Sequence, residues 1–140
     1  MNPVDRQTLA RKLEYLRKQL EQLEPYRALS QEEIFSGIEK RYTVERLLEL
    51  SIQSVIDCSR LLVSLEDWRK LRDERDAFLI LVERKVIDED LAERLLRAKG
   101  FRNVLVHEYV DIDPMLLFSH VRSGVEDLWV FAQQLAAYLR

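Results

Sequence analysis

The sequence predicts an all-α protein, a helical bundle of about five helices, and three observations indicate this class. Leucine and other apolar residues recur at helical spacing through most of the chain. Charged residues make up 34% of the sequence, which suits helices with one face in water, and three glycines and three prolines leave few turns. A chain of 140 residues buries one sizeable core but is short for two. We therefore expect one domain, residues 1–140, with up-and-down topology.

The first two predicted helices rest on leucine spacing and on a capping signal. Five leucines follow a 4-3-4-3 spacing that places them on one stripe: Leu9, Leu13, Leu16, Leu20 and Leu23. They predict a helix over about residues 5–24 that Pro25 ends. Ser30 followed by Glu33 is typical of a capping box, so a second helix begins there and continues to about residue 65.

The second predicted helix carries a polar stripe in an otherwise apolar segment. Ser51, Ser54 and Asp57 lie three residues apart, so they share one face. The simpler interpretation is an exposed edge, and the alternative is a polar wall that faces a functional site. Gly37 is a candidate break near the start of this helix.

Three further helices complete the predicted bundle. The third covers about residues 66–83, after a short connection around residues 64–68. Asp88 is placed to cap the fourth. Asp113 and Pro114 supply an N-cap followed by proline at the first helical position, which starts the last helix.

Charge, cysteine content and hydropathy exclude several classes of function. The formal net charge of −3 argues against coating nucleic acid by bulk attraction, so a role with nucleic acid is local. Arg94, Arg97 and Lys99 form one basic cluster and residues 69–75 contain another, which we interpret as solvated faces balanced by neighbouring acids.

The single Cys58 fits a reducing, cytoplasmic location. No apolar run approaches the roughly 18 residues that span a bilayer, so we expect no membrane association.

The segment 100–114 is the most informative part of the chain. It sets Arg102, Asn103, His107 and Tyr109 in an aliphatic run, and such a concentration of polar groups indicates a site. Histidine side chains exchange protons near neutrality, as attack by an RNA 2′-hydroxyl requires, and arginine stabilises the charge that develops on the phosphate. Asn103 shares the helical face of His107, where it orients the imidazole or donates to the phosphate.

Helical geometry does not by itself bring the arginine and the histidine together. Five positions separate Arg102 from His107, which corresponds to about 140° around an ideal helix. A helix that ends near His107, a long arginine that reaches around the axis, or a second subunit would each close this gap. The other histidine, His120, receives no role. Since the two histidines have no acidic residues at ligand spacing, we expect no metal and no cofactor.

Residues 100–113 resemble the signature of HEPN-domain ribonuclease toxins of the HepT type. The matching pattern is Phe-Arg-Asn, aliphatic residues, Val-His, a spaced tyrosine and Ile-Asp. Residues 41–57 look like the family's central helix and residues 87–96 like the lead-in to its motif. The resemblance covers roughly residues 36–137 and implies a HEPN-type helical bundle.

The resemblance also implies an activity, its partners and the roles of the motif residues. Arg102 and His107 would be the catalytic pair of a metal-independent endoribonuclease, with Asn103 as a polar auxiliary, in a homodimer whose two motifs line a cleft. Tyr109 matches the tyrosine that a minimal nucleotidyltransferase antitoxin modifies with AMP to block the toxin, in a type VII toxin–antitoxin system. Glu108 departs from the expected pattern because it adds negative charge. The alternative is a non-catalytic helical binding partner or substrate of a nucleotidyltransferase.

Overall fold

The computed structural model describes the backbone of residues 1–140 and every side chain except that of Tyr109. The described chain contains seven α-helices and no β-strand, which confirms the predicted all-α class. Two of the helices are short, so five longer helices remain, as predicted. The helices are α1 (Pro3–Arg27), α2 (Gln31–Ile34), α3 (Ile38–Leu65), α4 (Asp76–Glu83), α5 (Glu89–His107), α6 (Pro114–Ser119) and α7 (Val125–Leu139).

The core lies between α1, α3, α5 and α7, and the shorter helices close its ends. All five leucines of the predicted stripe on α1 are buried, where they pack toward α3 and α7. Full burial of a leucine stabilises the fold by about 1.5–3 kcal/mol, so this stripe is enough to fix α1 on the bundle. None of the described helices combines the length and the apolarity needed to cross a membrane.

The capping signals in the sequence predicted the starts of the helices correctly, whereas the predicted end of α1 at Pro25 was wrong. Ser30 Oγ accepts from the Glu33 amide at 3.1 Å, and the Glu33 carboxylate accepts from the Ser30 amide at 3.0 Å, as the capping box predicts. That helix is only α2, because the chain breaks at Gly37 and the long α3 begins after it. Pro25 does not end α1, which continues to Arg27. Pro25 lies in the exposed last turn, where water can solvate the carbonyl left without a donor.

The connection between α3 and α4 spans residues 66–75 and is not the short link predicted around residues 64–68. The predicted helix over residues 66–83 is therefore wrong in its first half. The carboxylate of buried Asp76 accepts from both Arg69 and Arg72, at 2.6–3.1 Å, and from the Arg72 backbone amide at 2.9 Å. Arg69 and Arg72 hold the pKa of that carboxyl far below its usual range. These bonds fold the connection over the start of α4.

The polar stripe on α3 is not an exposed edge. Ser51 and Ser54 are buried, and Ser51 Oγ donates to the Leu47 carbonyl at 2.7 Å. Only Asp57 is exposed, where it accepts from Gln53 Nε2 at 2.8 Å. Ser54 and Asp57 line a cleft with residues of α1 and not with the motif at residues 100–114. The prediction of an exposed edge was therefore wrong for the two serines.

Candidate functional site

Helix α5 positions the motif, and its two ends are set by local hydrogen bonds. Asp88 Oδ1 accepts from the Leu91 amide at 2.7 Å, so the predicted cap is confirmed. The core-facing side of the helix is buried from Leu91 to Leu105. The helix ends at His107, where the Glu108 amide still donates to the Val104 carbonyl at 2.8 Å. The expectation that the helix ends near His107 is therefore confirmed, and the motif lies at the carboxyl end of α5.

Arg102 lies half-buried on the side of α5 that flanks the core. Its Nη1 donates to Asn103 Oδ1 at 2.8 Å, which fixes one edge of the guanidinium group. Its Nε is buried and has no hydrogen-bond partner among the described residues. Burying a donor without a partner costs free energy, and an arginine keeps its charge at any pH that proteins tolerate. The guanidinium group therefore has donor capacity that no described residue satisfies.

His107 is exposed and is the last residue of α5. Among the described side chains, no hydrogen bond links its imidazole to Arg102 or to Asn103. Asn103 turns its carbonyl oxygen to the arginine, which leaves its amide nitrogen available toward the face shared with His107. The structure thus joins Arg102 to Asn103 by a hydrogen bond, and no hydrogen bond among the described side chains extends from this pair to His107. The end of α5 at His107 is one of the three routes by which the two side chains could converge, and the reach of Arg102 and a second subunit are compatible with it.

Tyr109 begins the 3-10 turn Tyr109–Asp111, directly after the exposed Glu108. Its side chain lies outside the described residues, so its role stays a prediction. Asp113 Oδ1 accepts from the Met115 amide at 2.9 Å and starts α6 at Pro114, as predicted.

Two of the three basic residues that precede the motif are paired with acids, in agreement with the interpretation of balanced faces. Arg94 Nε lies 2.7 Å from Asp127, and Lys99 Nζ lies 2.9 Å from Glu74 on the connection between α3 and α4. Lys99 lowers the pKa of the Glu74 carboxyl, and the positive charge of Arg102 adds to the effect. Arg102 and Lys99 therefore both act on the same carboxylate, Glu74.

His120 is a structural feature that the sequence did not indicate. Its ring stacks on Phe101 with centroids 4.2 Å apart and planes inclined by 7°, and burial lowers its pKa. It opens a π-helical turn, His120–Gly124, which separates α6 from α7 where one continuous last helix was predicted. A β-carbon on Gly124 would lie 3.0 Å from His120 Nδ1, so the glycine makes room for the ring. The spacing of Gly124 four residues after His120 was the available signal.

No group of three or more histidine, cysteine, aspartate or glutamate residues in the described part of the chain is arranged to hold a metal ion. The chemically distinctive groups at the carboxyl end of α5 are thus a guanidinium, an amide and an imidazole. They can bind an anion and exchange a proton.

Comparison with solved structures defines the class of protein, a HEPN-type helical bundle. The chain is similar to YutE from Bacillus subtilis, with a TM-score of 0.84 and 22% identity over 99% of this chain and 93% of that one. It is also similar to a tri-AMPylated HEPN toxin of Shewanella oneidensis in complex with its MNT antitoxin. There the TM-score is 0.76 and the identity 20%, over 98% of this chain and 99% of that one. At these identities the likeness establishes the fold.

The chain belongs to the ribonuclease HepT-like family, whose sequence pattern it matches over residues 16–135. It is 30% identical to the tRNA nuclease HepT of Aphanizomenon flos-aquae over 128 residues, which cover 91% of this chain and 87% of that protein. The resemblance read from residues 100–113 is therefore confirmed at the level of the family.

Proposed function

We propose that this chain is the toxin of a type VII HEPN/nucleotidyltransferase toxin–antitoxin system and acts as a metal-independent endoribonuclease in the cytoplasm. One observation carries the proposal: the helix that bears the family motif presents a half-buried arginine with an unpartnered donor, held by Asn103, one and a half turns from an exposed histidine. The names of the family and of the HepT relative support nuclease chemistry. We treat residues 1–140 as one domain, because their helices share one apolar core.

In this mechanism His107 accepts the proton of a ribose 2′-hydroxyl as that oxygen attacks the adjacent phosphorus. The bond from phosphorus to the 5′-oxygen breaks, that oxygen takes up a proton, and the products end in a 2′,3′-cyclic phosphate and a 5′-hydroxyl. Arg102 donates to the non-bridging oxygens and stabilises their charge in the pentacoordinate state. Asn103 keeps the guanidinium group oriented toward the phosphate.

A homodimer is part of the proposal because one chain does not join Arg102 to His107. Apolar side chains lie exposed in the last part of the motif and directly after it: Val110 is 76% exposed, Met115 71% and Leu116 41%. Exposed apolar residues that cluster on a soluble domain commonly mark a contact surface. A second protomer on this surface would cover these residues and supply the other half of each site.

Modification of the Tyr109 hydroxyl with AMP by a minimal nucleotidyltransferase antitoxin is the proposed control of the toxin. The Shewanella toxin with its AMP groups and its antitoxin supports this step. An AMP group adjacent to His107 would place negative charge where the RNA phosphate must bind. Intact-mass measurement after incubation with the partner and ATP should show AMP addition to the wild type. Tyr109→Phe should lose one addition, and an unchanged number would exclude Tyr109 as an acceptor.

The proposal is tested in cells by brief induction of the wild type beside Arg102→Ala and His107→Ala. Growth arrest and discrete RNA cleavage are expected with the wild type alone, with both variants present at equal levels and folded. Full toxicity of either variant would remove that residue from the catalytic pair.

A second function, a non-catalytic partner of a nucleotidyltransferase, is favoured by the same exposed apolar residues and by the separation of Arg102 from His107 in one chain. In that case RNA stays intact with the wild type, and changes at Val110 and Met115 weaken the complex with the nucleotidyltransferase. Co-elution of the two proteins together with an RNA assay separates the two functions.

A further inference from the structure

A cleft lined by cations opens between α5 and the connection that folds over α4. It has a volume of about 300 Å³ and is lined by Arg75, Leu96, Arg97, Lys99 and Gly100. Three of these five residues carry a positive charge and none is acidic. Arg75 and Arg97 are exposed and form no ion pair with another described residue.

Helix geometry places the cleft on α5 just before the proposed catalytic residues. Gly100 and His107 are seven positions apart, so they lie within about 20° of each other around the helix and about 10 Å apart along it. Asn103 lies between them, one turn before His107. Lys99 lies one turn before Arg102. A polymer that reaches His107 along this face therefore passes the cleft.

One carboxylate, Glu74, competes for the positive charge at the edge of this cleft. It lies on the connection beside Arg75, its side chain is 67% exposed, and it pairs with Lys99, whose side chain is only 12% exposed. Arg60 on α3 and Arg102 on α5 also act on Glu74 electrostatically. Several cations from two helices thus face one exposed acid. Glu74 is the exposed partner of this pair, so a phosphate oxygen can take the place of its carboxylate and leave Lys99 with an anionic partner.

We propose that this cleft is a phosphate subsite for the RNA strand next to the bond that is cut, and that Glu74 competes with the RNA phosphate for it. The inference rests on the proposed ribonuclease function for its ligand. Arg75, Arg97 and Lys99 bind one or two backbone phosphates and carry no base specificity, because phosphate contacts fix position and not sequence. A β-carbon on Gly100 would meet no atom within 4 Å, so the space beside this part of the cleft is open.

The test measures RNA binding without cleavage, using full-length protein that carries His107→Ala and a fluorescent single-stranded RNA. Arg75→Gln with Arg97→Gln should weaken binding about two- to fivefold per residue. The slope of log affinity against log salt should fall by about 0.7 for each lost contact. Glu74→Gln should tighten binding about two- to fivefold. The control is Lys18→Gln, which removes one positive charge from an exposed site on α1 outside the cleft. It should change neither the affinity for RNA nor the salt slope.

Equal affinities and slopes in the cleft variants and in Lys18→Gln would overturn the proposal. So would a Glu74→Gln variant that loses thermal stability without gaining affinity, because Glu74 would then be only a structural counter-ion. Cleft variants that bind RNA normally but lose the nucleotidyltransferase would assign the cleft to a protein partner instead. Failure of the ribonuclease proposal is a separate result, since it appears as uncut RNA with the unsubstituted protein.

Discussion

Gly100 lies inside α5, and its replacement by alanine is expected to stabilise the folded chain. An added β-carbon would meet nothing within 4 Å, so the methyl group fits without displacing a neighbour. Glycine in a helix interior costs roughly 0.5–1 kcal/mol relative to alanine. Gly100→Ala should raise the free energy of unfolding by that amount. For a chain of this size the gain corresponds to a rise of roughly 2–4 °C in the unfolding midpoint.

Gly124→Ala is the matched control because the space next to Gly124 is occupied, whereas the space next to Gly100 is open. The new β-carbon would lie 3.0 Å from His120 Nδ1 and 3.4 Å from His120 Cβ, and the stack on Phe101 restrains that ring. The overlap should cancel or reverse the gain in helix propensity. Thermal unfolding followed by circular dichroism, at one protein concentration for all variants, gives the comparison. Destabilisation by Gly100→Ala, or an equal gain from both changes, would refute the reasoning.

Three other outcomes follow from the buried groups. The Asp76 carboxyl has a lowered pKa in the folded chain, so its ionisation stabilises the fold. This contribution is present above about pH 4, the pKa of the carboxyl in the unfolded chain, and it is lost as the pH falls through the pKa in the folded chain. The thermal unfolding midpoint should therefore fall as the pH is lowered beneath about 4, and it should fall less steeply in Asp76→Asn. Parallel plots of midpoint against pH for the two proteins would contradict this. Burial raises the pKa of the Cys58 thiol to about 12, so iodoacetamide at pH 8 should label it only in denaturant, and rapid labelling of the native protein would show an open core. Leu16→Ala should cost about 2–5 kcal/mol, whereas Leu79→Ala, at 42% exposure, should cost far less when both are unfolded in urea.

Local features of the fold were predictable because their causes lie within a few residues of sequence. The caps at Ser30, Asp88 and Asp113 each satisfy an amide two or three positions ahead, so the residue type and its spacing suffice. The leucine stripe of α1 was readable for the same reason, since one helical period describes it.

The errors arose where polar side-chain contacts or contacts between helices decide the backbone, rather than hydrophobic spacing. The connection before α4 looks helical by periodicity, but Asp76 draws two arginines and a backbone amide onto its carboxylate and holds the segment as a loop. The last helix is interrupted by the π-helical turn that begins at His120, whose ring stacks on Phe101 of another helix. Neither arrangement leaves a periodic signal in the sequence.

The candidate site was predictable in its residue types but not in its geometry. The sequence indicated Arg102, Asn103 and His107 together, and the structure joins the first two through one hydrogen bond. The angle of about 140° between arginine and histidine follows from helix geometry, and α5 stays regular up to His107. In the proposed homodimer a second protomer completes the site, and residue spacing within one chain does not encode that arrangement.

The most direct test of the ribonuclease proposal uses purified wild type, Arg102→Ala and His107→Ala with RNA in the presence of EDTA, followed by mapping of the RNA ends. The expected result is cleavage to 2′,3′-cyclic phosphate ends by the wild type, slowed at least ~100-fold in both folded variants. RNA that stays intact with unmodified, folded wild type, or that is cut equally by the variants, would contradict it.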